Sequence, residues 1–558
     1  MLLLSAFPMS DLNLWYQVVS KYFLLTTMDT LPDDILLEIF DHYRLVCAGD
    51  WPRLQGWYKL AHMCRRWRRL VFASSLRLNL QLRCTFRMRV IDMINYSPPF
   101  PLVLDYGPRL LKTWTPEDED GLLFALLHLS RANEIMLSAP QSTLAEMTAA
   151  MIEAAPRLEY LTLHSQCAEF VLPKSFLDGD APQLRHLILS GVSLATLHPL
   201  LPSATSLVSL VLEGVPPSAY FSPDSLVAHI RSMPLLQTLS IGFLSAVPRP
   251  GFRGERFLPP GQIPRVELPA LTQLIYRGVS AYIEALLARI RTPLVQDIDI
   301  TLFNQLTLRL PRISAFIHDL ESFQPTRARV DFAESSAHVI VVSAPDPAPQ
   351  PSAIATESPD VSLSVSCARL DFQVSAMAQI CNGLSSTGAG VPAHHHHLLP
   401  IEELTLGFHQ GEQQTPTEQR DHDDEVVVDP ELWRALLSPF RRVRTLRVHV
   451  ALAALLESAL RSRPSYGPAV PVVGDQQQQQ MLLPELRTVV LLHGDRDDER
   501  AMLASTSEAL NALVDERDRA GHPVNVEPQD LSKLSWRRSQ PVMKSSSSLH
   551  KKGRAAIR

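Results

Sequence analysis

LPDDILLEIF, Leu31 to Phe40, and WYKLAHMCRRWRRLVFASSLRLNLQLRCT, Trp57 to Thr85, are the two stretches from which the organisation of the chain is read. Pro32 suits the first position of a helix, where its missing N–H has no intrahelical acceptor to lose. Asp33 and Asp34 place negative charge in that first turn, against the positive end of the helix dipole. Ile35, Leu36, Ile39 and Phe40 then fall at i, i+1, i+4 and i+5, one apolar face of a 3.6-residue repeat, with Leu31 just ahead of it. In the second stretch Leu60, Cys64, Trp67 and Val71 fall at i, i+4, i+7 and i+11, widened by Met63 and Leu70. Arg65, Arg66, Arg68 and Arg69 take the remaining positions. Helices this short share too little interior to bury all of their apolar surface. Part of it must meet the rest of the chain or another polypeptide.

Together the two stretches resemble an F-box. The family pattern runs roughly L-P-x-E-[LI]-L-x-x-I-[LF] and then, after a spacer, [VM]-C-[KR]-x-W. Leu31, Pro32, Asp34, Ile35, Leu36, Ile39 and Phe40 match the first half, and Met63, Cys64, Arg65 and Trp67 the second. Asp34 stands where Glu is commoner, and the spacer Val46 to Gly56 is longer and more polar than in compact members. The resemblance implies a small helical module over 28–85 that docks onto the Skp adaptor of a cullin–RING ubiquitin ligase. Leu31, Pro32, Ile35, Leu36, Ile39, Phe40, Met63, Cys64 and Trp67 would make the contact, and the rest of the chain would capture a protein substrate. Read alone, the Arg65 to Arg69 run is a solvated helix face, with nucleic-acid contact the lesser alternative. Cys64, on an apolar face, reads as a small hydrophobe.

A chain of 558 residues exceeds one ordinary core unless it is a repeat array. Hydrophobic residues at 46% and charged residues at 20% fit a soluble globular protein, and a net charge of −6 argues against a dedicated nucleic-acid binder. Pro (44) is twice as frequent as Gly (22), which predicts interrupted elements and unstructured connectors. The six cysteines form no C-x-x-C pair, so neither a zinc ribbon nor a disulfide framework is expected, and the compartment is the cytoplasm or nucleus. Residues 1–27 are an apolar tail with no basic leader or A-x-A site, and Met28 is a candidate initiator that would place this tail outside the true chain. No stretch approaches the uncharged length that spans a bilayer, so no membrane contact is expected.

From residue 99 a repeat emerges. Pro99 to Gly107 reads as a strand and Asp118 to Ala132 as an amphipathic helix. An L-x-x-L-x-L pattern then recurs at Leu158/Leu161/Leu163, Leu184/Leu187/Leu189, Leu207/Leu210/Leu212, Leu236/Leu239/Ile241, Leu271/Leu274/Tyr276 and Val295/Ile298/Ile300. It returns at Ile401/Leu404/Leu406, Val443/Leu446/Val448 and Leu486/Val489/Leu491, with Ala132/Ile135/Leu137 a weaker first copy. Pro156, Pro182, Pro234, Pro269 and Pro484 each stand two residues ahead of a copy. Helix-like runs lie between, at 144–155, 225–233, 281–290, 313–323 and 432–440. Strands joined by helical crossovers must be parallel. The array, spanning 99–525, resembles a leucine-rich-repeat horseshoe. It departs from that family in lacking the consensus Asn or Cys: Gln166, Val192 and Val215 stand in its place. The spacing also drifts from about 23 to 35 residues early to about 40 late. The expected fold is therefore α/β: a small helical F-box-like module followed by an irregular leucine-rich-repeat-like solenoid with parallel strands and outer helices. The competing reading is that the pattern marks buried strands of any α/β domain.

Pro-, Ser- or Gln-rich segments near 343–362, 385–397, 409–425 and 463–480 are expected to stay unstructured. The tail 531–558 is basic: a solvated tail, a nuclear-import signal or a weak anionic contact. No metalloprotease, P-loop, dinucleotide-binding or nucleophile-elbow motif is present. His394 to His397 and Asp421 to Glu425 lack a rigid frame for a metal ion, so no catalytic site, metal or cofactor is expected.

With the leucines buried, strand alternation sends the intervening side chains to the opposite, inner face. Those are Tyr160, Thr162, His186, Ile188, Ser209, Val211, Thr238, Ser240, Gln273, Ile275, Asp297 and Asp299. Such a mixture suits a protein partner better than a phosphate backbone, which calls for Lys and Arg. The expected function is a non-catalytic substrate receptor joining the Skp adaptor, and through it cullin, to an unknown protein substrate. The alternatives are an F-box scaffold acting outside ubiquitin transfer and an enzyme with an unrecognised site.

Overall fold

The computed structural model describes residues 31–47, 56–86, 88–107, 115–165, 170–193, 198–245, 265–320, 325–343, 360–385, 400–409, 428–461, 481–494 and 497–530. The apolar tail, Met28, most of the 46–56 spacer, Gln166, the His394 to His397 and Asp421 to Glu425 runs, the 463–480 segment and the basic tail lie outside these residues. The chain divides into two compact units, Met1–Leu194 with His198–Leu207, and Ala195–Leu197 with Val208–Arg558. Both are mixed α/β, built on mostly parallel strands.

The first unit opens with helices α1 (Asp33–Cys47), α2 (Gly56–Met63) and α3 (Arg65–Ala73). The single apolar stripe expected from Leu60 to Val71 is thus broken in two. Cys64 takes an extended backbone and its thiol accepts from the Trp67 N–H at 3.4 Å, capping α3 rather than filling an apolar face. Strands β1 (Leu82–Cys84), β2 (Leu102–Tyr106), β3 (Ala132–Ala139), β4 (Tyr160–Ser165) and β5 (His186–Ser190) follow, each parallel to the next. Helices α4 (Val90–Tyr96), α5 (Pro116–Leu126), α6 (Gln141–Ala150) and α7 (Leu200–Ser203) lie between or after them. α5 starts where Thr115 and Asp118 cap each other's backbone N–H ahead of Pro116, and it ends at Leu126, short of the expected Ala132. Ile135, Leu161 and Leu187 stand in register, as do Leu137, Leu163 and Leu189, and all six are buried. Each such side chain contributes about 1.5–3 kcal/mol on leaving water.

Trp57 seats the helices on the first strands. Its ring stacks on Tyr58 at 4.1 Å, meets Phe100 edge-on at 5.5 Å, and its indole N–H donates to the Gln81 carbonyl at 3.3 Å.

The second unit contains β6 (Ser209–Val215), α8 (Pro223–Ile230), β7 (Thr238–Phe243), β8 (Gln273–Gly278), α9 (Ser280–Leu287), β9 (Asp297–Phe303) and α10 (Pro311–His318). It continues through β10 (Pro325–Ala333), β11 (Ser336–Ser343), β12 (Asp360–Ser366), α11 (Leu370–Ser385), β13 (Glu403–His409) and α12 (Pro430–Leu437). It closes with β14 (Thr445–His449), α13 (Val450–Leu460), β15 (Thr488–His493), α14 (Asp497–Arg519) and β16 (Asn525–Asp530). The strand order is β6-β7-β8-β9-β12-β11-β10-β13-β14-β15-β16. Every expected L-x-x-L-x-L copy falls on a strand and the turn before it.

That turn repeats. The first Leu of a copy donates its N–H three residues back, as in Leu158 to Ala155, Leu236 to Met233 and Leu486 to Leu483. Backbone carbonyls hold neighbouring strands at their starts. The Val208 carbonyl accepts from Gln237 and Thr238, and the Gln237 carbonyl from Thr272 and Gln273.

The expectation of parallel strands throughout fails in one place: β11 runs antiparallel to both β10 and β12. Of the segment 343–362 expected to be unstructured, Ser343 ends β11 and Asp360–Ser362 open β12, while 344–359 lie outside the described residues. Val361, Leu363 and Val365 alternate with serines there, and all three are buried.

Candidate functional site

The first and third helices bring together most of the residues expected to hold an adaptor, but divide them into two kinds. Leu36 and Phe40 are 0% exposed and Trp67 is 9% exposed. The Phe40 and Trp67 rings meet at 4.8 Å, so these three close the module's own interior and offer a visitor nothing to grip. As direct contacts they are corrected: the i, i+1, i+4, i+5 face is wider than the surface left over, and its inner half is used for packing. Ile35 (44%), Ile39 (40%) and Met63 (67%) remain exposed, as does Pro32, while Leu31 and Cys64 are half-buried. Arg66 ties the two stretches, pairing with Asp33 at 2.6 Å and donating to the Leu31 carbonyl at 2.6 Å. Arg68 donates to the Ala61 carbonyl at 2.9 Å. Part of the arginine run is thus structural rather than simply solvated.

The inner-face residues lie in both units. In the first, Tyr160 and His186 are half-buried neighbours with ring centroids 5.4 Å apart, tilted by 35°. Thr162 is half-buried and Ile188 is buried. In the second, Ser209, Thr238, Gln273, Ile275, Asp297 and Asp299 are half-buried, while Val211 and Ser240 are buried. Ile188, Val211 and Ser240 are therefore corrected as contacts, since each is closed off from solvent within its own unit. Thr238 donates to Gln273 at 3.5 Å, and the Gln273 amide donates to Asp297 at 2.6 Å.

Sequence reading missed the ion pairs on the same faces. Arg83 pairs with Asp105 at 3.0 Å. Asp331 is buried and takes Arg329 at 2.5 Å and His338 at 3.0 Å. Burial works to raise the Asp331 carboxyl, but the His338 hydrogen bond and the Arg329 charge outweigh it and hold it below its ordinary value. Arg447 pairs with Glu403 and donates to Gln529 at 2.6 Å. The alternation in RARVDF (Arg327 to Phe332) was the available signal for β10 and its charges.

Burial pushes the Cys84 and Cys381 thiols up to about 12, so neither is a thiolate near neutral pH. Among the described residues, no group of three or more His, Cys, Asp or Glu is placed to hold a metal ion, and no helix is long and apolar enough to cross a membrane. No protein-family model matches the chain, and a comparison with curated proteins returns no match.

Proposed function

We propose that the chain is a non-catalytic substrate-recognition subunit of a Skp–cullin–F-box ubiquitin ligase. The first three helices dock on a Skp-type adaptor, and an irregular leucine-rich-repeat-like solenoid presents a target protein. The supporting observation is the divided face of α1. Leu36 and Phe40 close against Trp67, while Ile35 and Ile39, one turn apart, stay open beside Pro32, with Met63 exposed at the end of α2. Exposed aliphatic pairs at i, i+4 are what a partner's apolar groove engages. Tyr160, Thr162 and His186 of the first unit, and separately Ser209, Thr238 and Gln273 of the second, are the candidate target surfaces. Catalysis would then be proximity: one body raises the effective concentration of target beside a ubiquitin-charged enzyme.

Titration of the full chain with purified Skp-type adaptor tests this. The double change Ile35→Ala, Ile39→Ala is expected to cost about 2 kcal/mol or more, roughly thirtyfold in affinity, without unfolding the module. Unchanged affinity in a folded variant rejects the docking assignment. Adaptor binding without cullin recruitment would favour the scaffold alternative.

A further inference from the structure

The inner face of β3, β4 and β5 has a composition that selects among targets. Pairing register sets Glu134, Tyr160 and His186 in one row, Met136, Thr162 and Ile188 in the next, and Ser138, His164 and Ser190 in the third. The middle row is a floor, in which Met136 and Ile188 are buried. The outer rows are half-buried and present rings, hydroxyls and one carboxylate. Neither lysine nor arginine occupies any inward position of these strands. The inward arginine at the nearest edge, Arg83, is already paired with Asp105.

The histidines do not supply a charge in its place. Burial lowers the pKa of His164 and of His186, the latter with help from the neighbouring Arg185 charge, so both imidazoles are neutral near pH 7. The Thr162 hydroxyl and the His164 Nδ1 are buried without a hydrogen-bond partner.

A phosphate group carries nearly two negative charges and is held by guanidinium or ammonium groups or by clustered N–H donors. This face meets it with the Glu134 carboxylate and neutral rings. From this we infer that the inner face of β3–β5 docks an unphosphorylated protein segment, gripped by the Tyr160 and His186 rings over the Met136 and Ile188 floor and by neutral hydrogen bonds to the half-buried Ser138 and Ser190. The inference rests on the receptor reading above and deepens it: the target side is a reader of unmodified chain.

The test uses the full chain bound to its adaptor and two matched synthetic peptide libraries. They are randomised around a central Ser, Thr or Tyr that is either free or phosphorylated. Selection from the free library is expected, undiminished by excess free phosphoserine or phosphotyrosine. Tyr160→Ala with His186→Ala should lower capture of selected peptides about tenfold or more. Should that pair perturb folding, His186→Gln and Ser190→Ala, read against unchanged circular dichroism, carry the same expectation. Selection from the phosphorylated library, selection from neither, or equal capture by folded variants would each overturn the inference. Adaptor affinity, measured on the same preparations, separates the two proposals. Its loss sinks the receptor reading, whereas its retention without free-peptide selection sinks only this one.

Discussion

Phe40 of the first helix and Trp67 of the third stand with ring centroids 4.8 Å apart and planes at 60°, closing a loop of chain between them. Beside them Leu36 and Val71 are fully buried. A tilted aromatic pair adds about 0.5–1.5 kcal/mol beyond the area it buries. The module therefore keeps a small core of its own, and its exposed aliphatics are held in place by that core.

Stability and docking should consequently separate by residue. Phe40→Ala or Trp67→Ala is expected to cost about 3–5 kcal/mol, read as a lowered midpoint in denaturant melts that follow the module. Ile39→Ala, on the solvent side of the same helix, should change stability by about 0.5 kcal/mol or less. Equal destabilisation by all three would mean that α1 faces the other way.

Gly407 of β13 is fixed by a side chain of β10, three strands earlier in the chain but its direct neighbour in the sheet. A Cβ built there would lie 1.8 Å from Asp331 Oδ1 and 3.0 Å from its Cγ. The carboxylate cannot retreat freely, because Arg329 and His338 hold it. Gly407→Ala should destabilise the second unit by about 1–3 kcal/mol, and Asp331→Ala in the same background should relieve the clash while forfeiting the ion pairs. Denaturant unfolding of the single and double variants checks this: a fully additive double variant would show that the two positions do not touch.

These contacts mark where sequence reading stopped. The buried strands were legible because Leu161 and Leu163, or Leu239 and Ile241, keep a period of two behind a recurrent proline turn. The helix break at Cys64 was not, since the arginine run that follows contains neither Gly nor Pro to announce it. β11 and β12 were hidden by the Pro- and Ser-rich residues that separate them, although VSLSVS alternates plainly. Three of the nine residues expected to meet an adaptor, Leu36, Phe40 and Trp67, lie inside, because periodicity locates an apolar face without saying which part of it another helix covers. Pairs such as Arg83–Asp105 and Arg447–Gln529 depend on the register of separate strands, which local pattern does not fix.

Three histidines of the first unit link folding to protons. Burial holds His164, His186 and His198 below the ordinary imidazole value, and for His198 this outweighs the opposing pull of its bond to the Pro173 carbonyl. The unfolded chain, titrating near 6.5, then binds protons that the folded chain refuses. Stability should be fully present above that value and fall as pH drops through it, levelling only below the folded values. Urea midpoints at pH 7.5, 6.5 and 5.5 are expected to decline in that order, less steeply in His186→Gln. A midpoint that is flat or rises toward acid would contradict the assignment.

The last strand among the described residues carries its own guard against pairing with another chain. The Asn525 N–H donates inward to Arg487, so alternation turns the Glu527 and Gln529 amides inward and those of Val526 and Asp530 outward. Position 528 also faces outward, and Pro528 has no N–H to give. Glu527 and Pro528 are both exposed. Among the described residues β16 pairs on one side only, and a proline and charges on such a strand are how edges resist addition of a further strand. Pro528→Val, which restores the missing donor and raises strand propensity, is expected to increase self-association, seen as a growing hydrodynamic radius with concentration in light scattering. Pro528→Val with Asn525→Lys should reverse that growth, because Asn525 is exposed on the same strand and a charge there burdens the edge without entering the apolar face. A monomeric Pro528→Val chain would show that something other than the proline protects this strand.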